Sequence, residues 1–160
     1  MFNRENAIRF LLRRPGTLES QSARWTVLVL AAIGAGFLVW SGVIHLMLWS
    51  DGYKSISVIG PLFLAQGIVC IALGVAIVAL RWLALLAIGA VTGVATAIGL
   101  LLSVNVGLFG FTDSLAVPYA ELSLAVEFTA AFVLLIGALL LLLAEPARLA
   151  GKTSPVPSRM

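Results

Sequence analysis

The chain has one cysteine, one histidine and few charges. Each scarcity excludes something. Cys70 has no second cysteine to pair with, so no internal disulfide forms. A redox or ligand role would also need a partner thiol, and Cys70 reads as a buried structural residue. With His45 alone, a bis-histidine haem site is impossible within one chain, which leaves only a lone axial ligand. Charged residues are 11% of the 160 and apolar residues 61%, against about 25% and roughly 45–50% in soluble domains. Mean hydropathy is +1.11. The solvent to reason with is therefore a lipid bilayer. There, backbone groups must pair within a helix or a closed barrel. Strict apolar–polar alternation is missing, which excludes the barrel. Also missing are a glycine-rich phosphate loop, a nucleophile elbow, a CxxC and an HExxH motif.

What is present is four long apolar runs, at 25–48, 58–80, 83–104 and 122–144. The first would reach about 36 Å as a helix, enough to cross a core of about 30 Å. Trp25 and Trp49 flank it, where indole rings prefer the interface. Pro61 stands in the first turn of the second run, where its missing N–H costs least. Gly89, Gly93 and Ala97 make a small-residue face on the third, which predicts that this span is the most buried. Thr92 and Thr96 on the same span can bond back to their own helix. The expected fold is all-α, four transmembrane helices in an up-down-up-down bundle.

Three regions follow. Residues 1–24 form a basic N-terminal segment, too long a flank before too long an apolar run for an ordinary cleaved signal peptide. A short surface helix over 3–14 would set Ile8, Leu11 and Leu12 on one arc. The arginines read chiefly as orientation signals. Residues 25–144 form the transmembrane domain, and 145–160 a disordered tail. The longest connection, 105–121, carries Gly107, Gly110 and Pro118 yet is rich in Leu and Phe; it is expected to fold back as a cap. All but Lys54 of the 10 lysines and arginines fall on one face of this topology. By the positive-inside rule both termini are cytoplasmic. The net charge of +3 gathers next to apolar spans, which fits headgroups and topology and predicts no nucleic-acid partner.

Polar groups inside a bilayer are costly. His45, Gln66, Glu127 and Ser103 fall at one level, in the outer third of four different spans. If the helix rotations agree, His45, Gln66 and Glu127 form a polar cluster. It either sets helix register, with Glu127 paired to His45, or it works as a site. His45 and Glu127 are the candidate metal ligands, too few for a closed zinc site unless Asp51, Asp113 or Glu121 adds oxygen. Tyr53 and Tyr119 read as interfacial anchors.

One stretch carries a resemblance. His45-Leu46-x-Leu48-Trp49, then Gly52-Tyr53-x-x-Ile56, then Ile59-Gly60-Pro61-Leu62-Phe63-Leu64 resembles a family of small four-span membrane proteins of high-GC Gram-positive bacteria. Glu127 also looks like a feature of that family. Ser57 departs from it, at a turn where proline is usual. The resemblance implies a four-helix fold and a bacterial plasma membrane, and it supplies no substrate.

The leading expectation is a non-enzymatic accessory or scaffolding subunit, with the bilayer and other membrane subunits or further copies of itself as partners. The alternative is a small-ligand or metal-binding membrane protein using His45 and Glu127 near the outer face. A small transporter or proton relay ranks third, because transporters usually break their spans near the midplane. An enzyme ranks last, and the sequence names no cofactor.

Overall fold

The computed structural model describes residues 4–144. The expected disordered tail, 145–160, lies outside the described residues, as do residues 1–3. A short helix α1 (Arg4–Leu11) precedes four long ones: α2 (Gln21–Asp51), α3 (Ile59–Leu80), α4 (Leu83–Asn105) and α5 (Ala120–Leu143). Each of the four is long and apolar enough to cross a membrane. The described residues contain no strand, only an isolated bridge between Leu108 and Phe111. The protein is an all-α, multi-pass membrane protein.

Local chemistry sets the helix ends. Ser20 caps α2 by accepting from the Ala23 N–H, meeting one of the orphan donors of a helix start. At 31 residues α2 runs about 46 Å and overhangs a core of about 30 Å. Arg81 takes a left-handed conformation after α3, and its N–H closes onto the Ile77 carbonyl. Trp82 then leads directly into α4. At the opposite end, Val58 has φ 65° and ψ −49°. The Ile59 N–H bonds across it to the Ser57 carbonyl at 2.7 Å. This is a γ-turn, of the strained kind for a β-branched residue.

The helices are apolar all round, as lipid-facing helices are. Close approach therefore comes from small residues, not from an amphipathic stripe. A Cβ at Gly42 would stand 2.8 Å from the Gly67 carbonyl oxygen, where α2 crosses α3. One at Gly93 would stand 2.8 Å from the Glu127 carbonyl oxygen, where α4 crosses α5.

The arrangement is an open ring. Helix α2 packs along α3 on one side and α5 on the other, and α5 packs along α4. Despite the tight turn that joins them, α3 and α4 touch little. This corrects one expectation: α2 and α5 are the most buried helices, and α4 is not. Gly89, Gly93 and Ala97 do face inward; Gly93 seats α4 directly against the α5 backbone, and Gly89 lies under Leu134 of α5, Ile77 of α3 and Leu38 of α2. Farther from the Arg81 turn, the flank of α4 that carries Val91 and Gly99 lines a gap toward α3. Leu38, Ile77, Leu86, Leu134 and Leu141, all buried, fill the half of the bundle nearest the Arg81 turn.

The N-terminal segment does more than orient the chain. Pro15 and Leu18 are buried. The Arg13 carbonyl accepts from the Leu83 N–H at 2.9 Å, capping the start of α4. The Arg13 guanidinium donates to the Leu142 carbonyl at 3.0 Å and to that of Ala144, capping the end of α5 with a cation where the helix dipole favours one. Arg24 donates to the Leu18 carbonyl, and Arg14 lies over the Trp82 ring. These residues close the arginine-bearing end of the bundle.

Candidate functional site

The gap between α3 and α4 widens, away from the Arg81 turn, into a cavity of about 460 Å³. Leu62, Gln66 and Val69 of α3 form one wall and Val91, Thr96 and Gly99 of α4 the other. His45 of α2 and Glu127 of α5 stand at the back. Val69 and Val91, at the rim, are 50% and 68% exposed, so the cavity opens sideways onto the lipid-facing surface.

The 105–120 connection roofs it. The Asp113 N–H bonds to the Ser103 carbonyl, which folds the connection back over the helix ends, as the cap expectation held. Glycines at φ 78° and 79°, Gly107 and Gly110, make the reversal. The Tyr53 hydroxyl donates to Asp113, at 3.2 and 3.3 Å from its two oxygens. The Tyr53 ring stacks on Phe63 at 4.5 Å between centroids and meets Phe111 edge-on at 5.7 Å. A second, shallower hollow on the loop surface shares the Tyr53, Phe111 and Asp113 wall.

Glu127 is 2% exposed. Its Oε1 accepts from the Ser123 hydroxyl at 3.0 Å and the Ser41 hydroxyl at 3.4 Å. His45 Nε2 lies 3.8 Å from the same oxygen, too far for a hydrogen bond and close enough for strong Coulombic coupling. His45 Nδ1 is 2.9 Å from the Ser41 carbonyl. A carbonyl only accepts, so Nδ1 carries a proton. At 3.8 Å the Nε2–Oε1 contact is electrostatic and fixes no proton between the two atoms. Among the described residues, Glu127 Oε2 has no hydrogen-bond partner, and neither has the Ser103 hydroxyl. Both residues line the cavity. Thr96 stands beside the carboxylate, but its hydroxyl bonds back to the Thr92 and Gly93 carbonyls.

Of the expected cluster, His45 and Glu127 meet directly. Gln66 shares their cavity but donates to Cys70 Sγ at 3.2 Å instead. Cys70 itself is buried. The metal reading gains no further donors. Among the described residues no three His, Cys, Asp or Glu side chains come together, and Asp113 is held by Tyr53.

The sequence reading passed over Ser41, Ser123 and the Tyr53–Asp113 pair. A signal for the serines was there: Ser41 precedes His45 by four positions and Ser123 precedes Glu127 by four, the spacing of neighbours on one helix face. Tyr53 and Asp113 are 60 residues apart, and no local pattern joins them. No family model, curated protein or solved structure matches this chain.

Proposed function

We propose that this protein binds a small, lipid-soluble ligand in the cleft between α3 and α4, held at its polar end by His45 and Glu127. The observation that carries the reading is the unpartnered Oε2 of a buried glutamate at the back of a laterally open cavity. A buried acceptor without a partner costs on the order of 1–3 kcal/mol, and a ligand donor would remove that cost. The volume and the mainly apolar lining suit a ligand of small-molecule size.

The setting goes with it. All but one of the lysines and arginines lie toward one end of the bundle in sequence, which supports cytoplasmic termini and a site beneath the outer surface. The resemblance of the first two spans supports a bacterial plasma membrane. An accessory subunit, the leading expectation from sequence, uses the same four helices; the cavity is what moves ligand binding ahead of it. A transporter or proton relay falls behind, because buried Leu38, Ile77, Leu86, Leu134 and Leu141 put no polar step between the site and the opposite end.

The test is to extract freshly purified protein with organic solvent and compare the extract with bulk membrane by mass spectrometry. Gly99→Leu serves as the blocked control, since a Cβ at Gly99 meets open space and the longer side chain would fill the cleft. A species enriched in the native protein and depleted in Gly99→Leu is expected. Matching extracts from the two proteins would end the reading.

A further inference from the structure

The groups that line the cleft narrow the class of ligand. Its carboxylates are Glu127 and Asp113, and among the described residues no lysine or arginine lines it. The free polar atom at its back, Glu127 Oε2, accepts, and presents negative charge to a cation, when the carboxylate is ionised. Asp113 already accepts from Tyr53 and keeps acceptor capacity to spare. A ligand that brought only acceptors would find the Ser103 hydroxyl and the second N–H of Gln66, and would leave Glu127 Oε2 and Asp113 unmatched. A ligand that brings donors and positive charge meets both carboxylates. Under the roof, Tyr53, Phe63 and Phe111 form a contiguous aromatic cluster, and aromatic rings attract a cation. Below it, Leu62, Val69 and Val91 offer an apolar wall to a hydrocarbon body.

We propose that the ligand is a lipophilic cation, an amphiphile with an ammonium head, which slides in sideways from the bilayer and sets its head against Glu127 beneath the Tyr53–Asp113 roof. This rests on the ligand-binding reading above and adds the charge of the ligand to it. The seat is built from both halves of the ring. Helix α5 supplies the carboxylate, α2 holds it through Ser41 and His45, and the loosely apposed α3 and α4 leave the way in.

The full-length protein in phosphatidylcholine nanodiscs is titrated with tritiated tetraphenylphosphonium, and with tritiated decanol as the neutral probe. Bound tetraphenylphosphonium is then competed with decylamine, decanol and decanoate. Saturable binding of the cation is expected, displaced best by decylamine. Glu127→Gln should weaken it about tenfold or more, the scale of a lost charge-assisted hydrogen bond, and Gly99→Leu should abolish it. If Glu127→Gln does not fold, the order of the three competitors on the native protein decides the question. Decanol binding that Gly99→Leu removes, without binding of the cation, would overturn the charge assignment and leave the ligand-binding reading standing. Cation binding indifferent to Glu127→Gln would overturn the charge assignment as well. If neither probe binds, or if Gly99→Leu changes nothing, both readings fall together.

Discussion

At the scale of single residues, one side-chain hydrogen bond ties the roof of the cleft to the α2–α3 connection. Tyr53 lies between helices, half-buried, and donates to Asp113. Burial first, then the Asp113 charge and the hydrogen bond to it, push the Tyr53 hydroxyl up to about 12, against an ordinary value near ~10. The folded value lies above the unfolded one. Tyr53 therefore contributes stability that is present in full below pH ~10 and is lost as pH rises through about 12. Ultraviolet titration of the native protein minus Tyr53→Phe should isolate this phenol and place its midpoint near 12. Asp113→Asn removes the charge but keeps an oxygen that can accept from the phenol, and it should move the midpoint down, with burial still holding it above the free value. Identical midpoints with and without the Asp113 charge would break the link between roof and phenol.

At the scale of helices, glycine acts by what it leaves out. Gly93 and Gly99 lie on the same helix, yet their surroundings are opposite. A Cβ at Gly93 runs into the Glu127 carbonyl oxygen and the Ala131 Cβ, at 2.8 and 3.1 Å. Backbone cannot turn aside as a side chain can. Gly93→Ala is expected to cost about 1–3 kcal/mol, as overpacking does. Gly99→Ala meets no neighbour and should gain up to about 1 kcal/mol from helix propensity. Unfolding in detergent, followed by circular dichroism, would compare the two. Equal effects would show that α4 does not lean on α5 as described. Gly93→Ala should also disturb the site, because the oxygen it strikes belongs to Glu127 itself.

At the scale of the whole molecule, the bundle has two unlike ends. One is closed by the N-terminal segment, with Arg13 capping two helices at once. The other carries the roofed cleft and Lys54. Charge alone argues that the arginine end faces the cytoplasm. Single cysteines at Thr17 and at Lys54, in a Cys70→Ser background, test this in intact cells with a membrane-impermeant maleimide. Lys54→Cys should react from outside and Thr17→Cys only after the membrane is opened. The reverse labelling would invert the protein and place the cleft on the cytoplasmic side.

Much of this was legible in residue order. Apolar runs between turn signals marked the four helices, because a span must be continuous and of bilayer length. Span ends shifted by a few residues: α2 extends to Gln21 and Asp51, past the interfacial tryptophans, since a helix in water at either end costs little. The level of His45, Gln66 and Glu127 was also readable, because depth follows from counting residues inward from a turn. The metal reading shows the limit of such counting. Equal depth brought His45 and Glu127 together, but it could not say that Gln66 would turn to Cys70.

What the sequence alone determined was the number, length and depth ordering of the helices, and an asymmetry of charge. What only the tertiary structure decided was helix rotation and adjacency: which flank of α4 meets α5, why α3 stands apart from it, and which oxygen of Glu127 is left over. The reason is physical. In water, an apolar stripe records which way a helix faces. In lipid, both faces are apolar, so rotation is settled by where small residues let backbones touch. That depends on two helices at once.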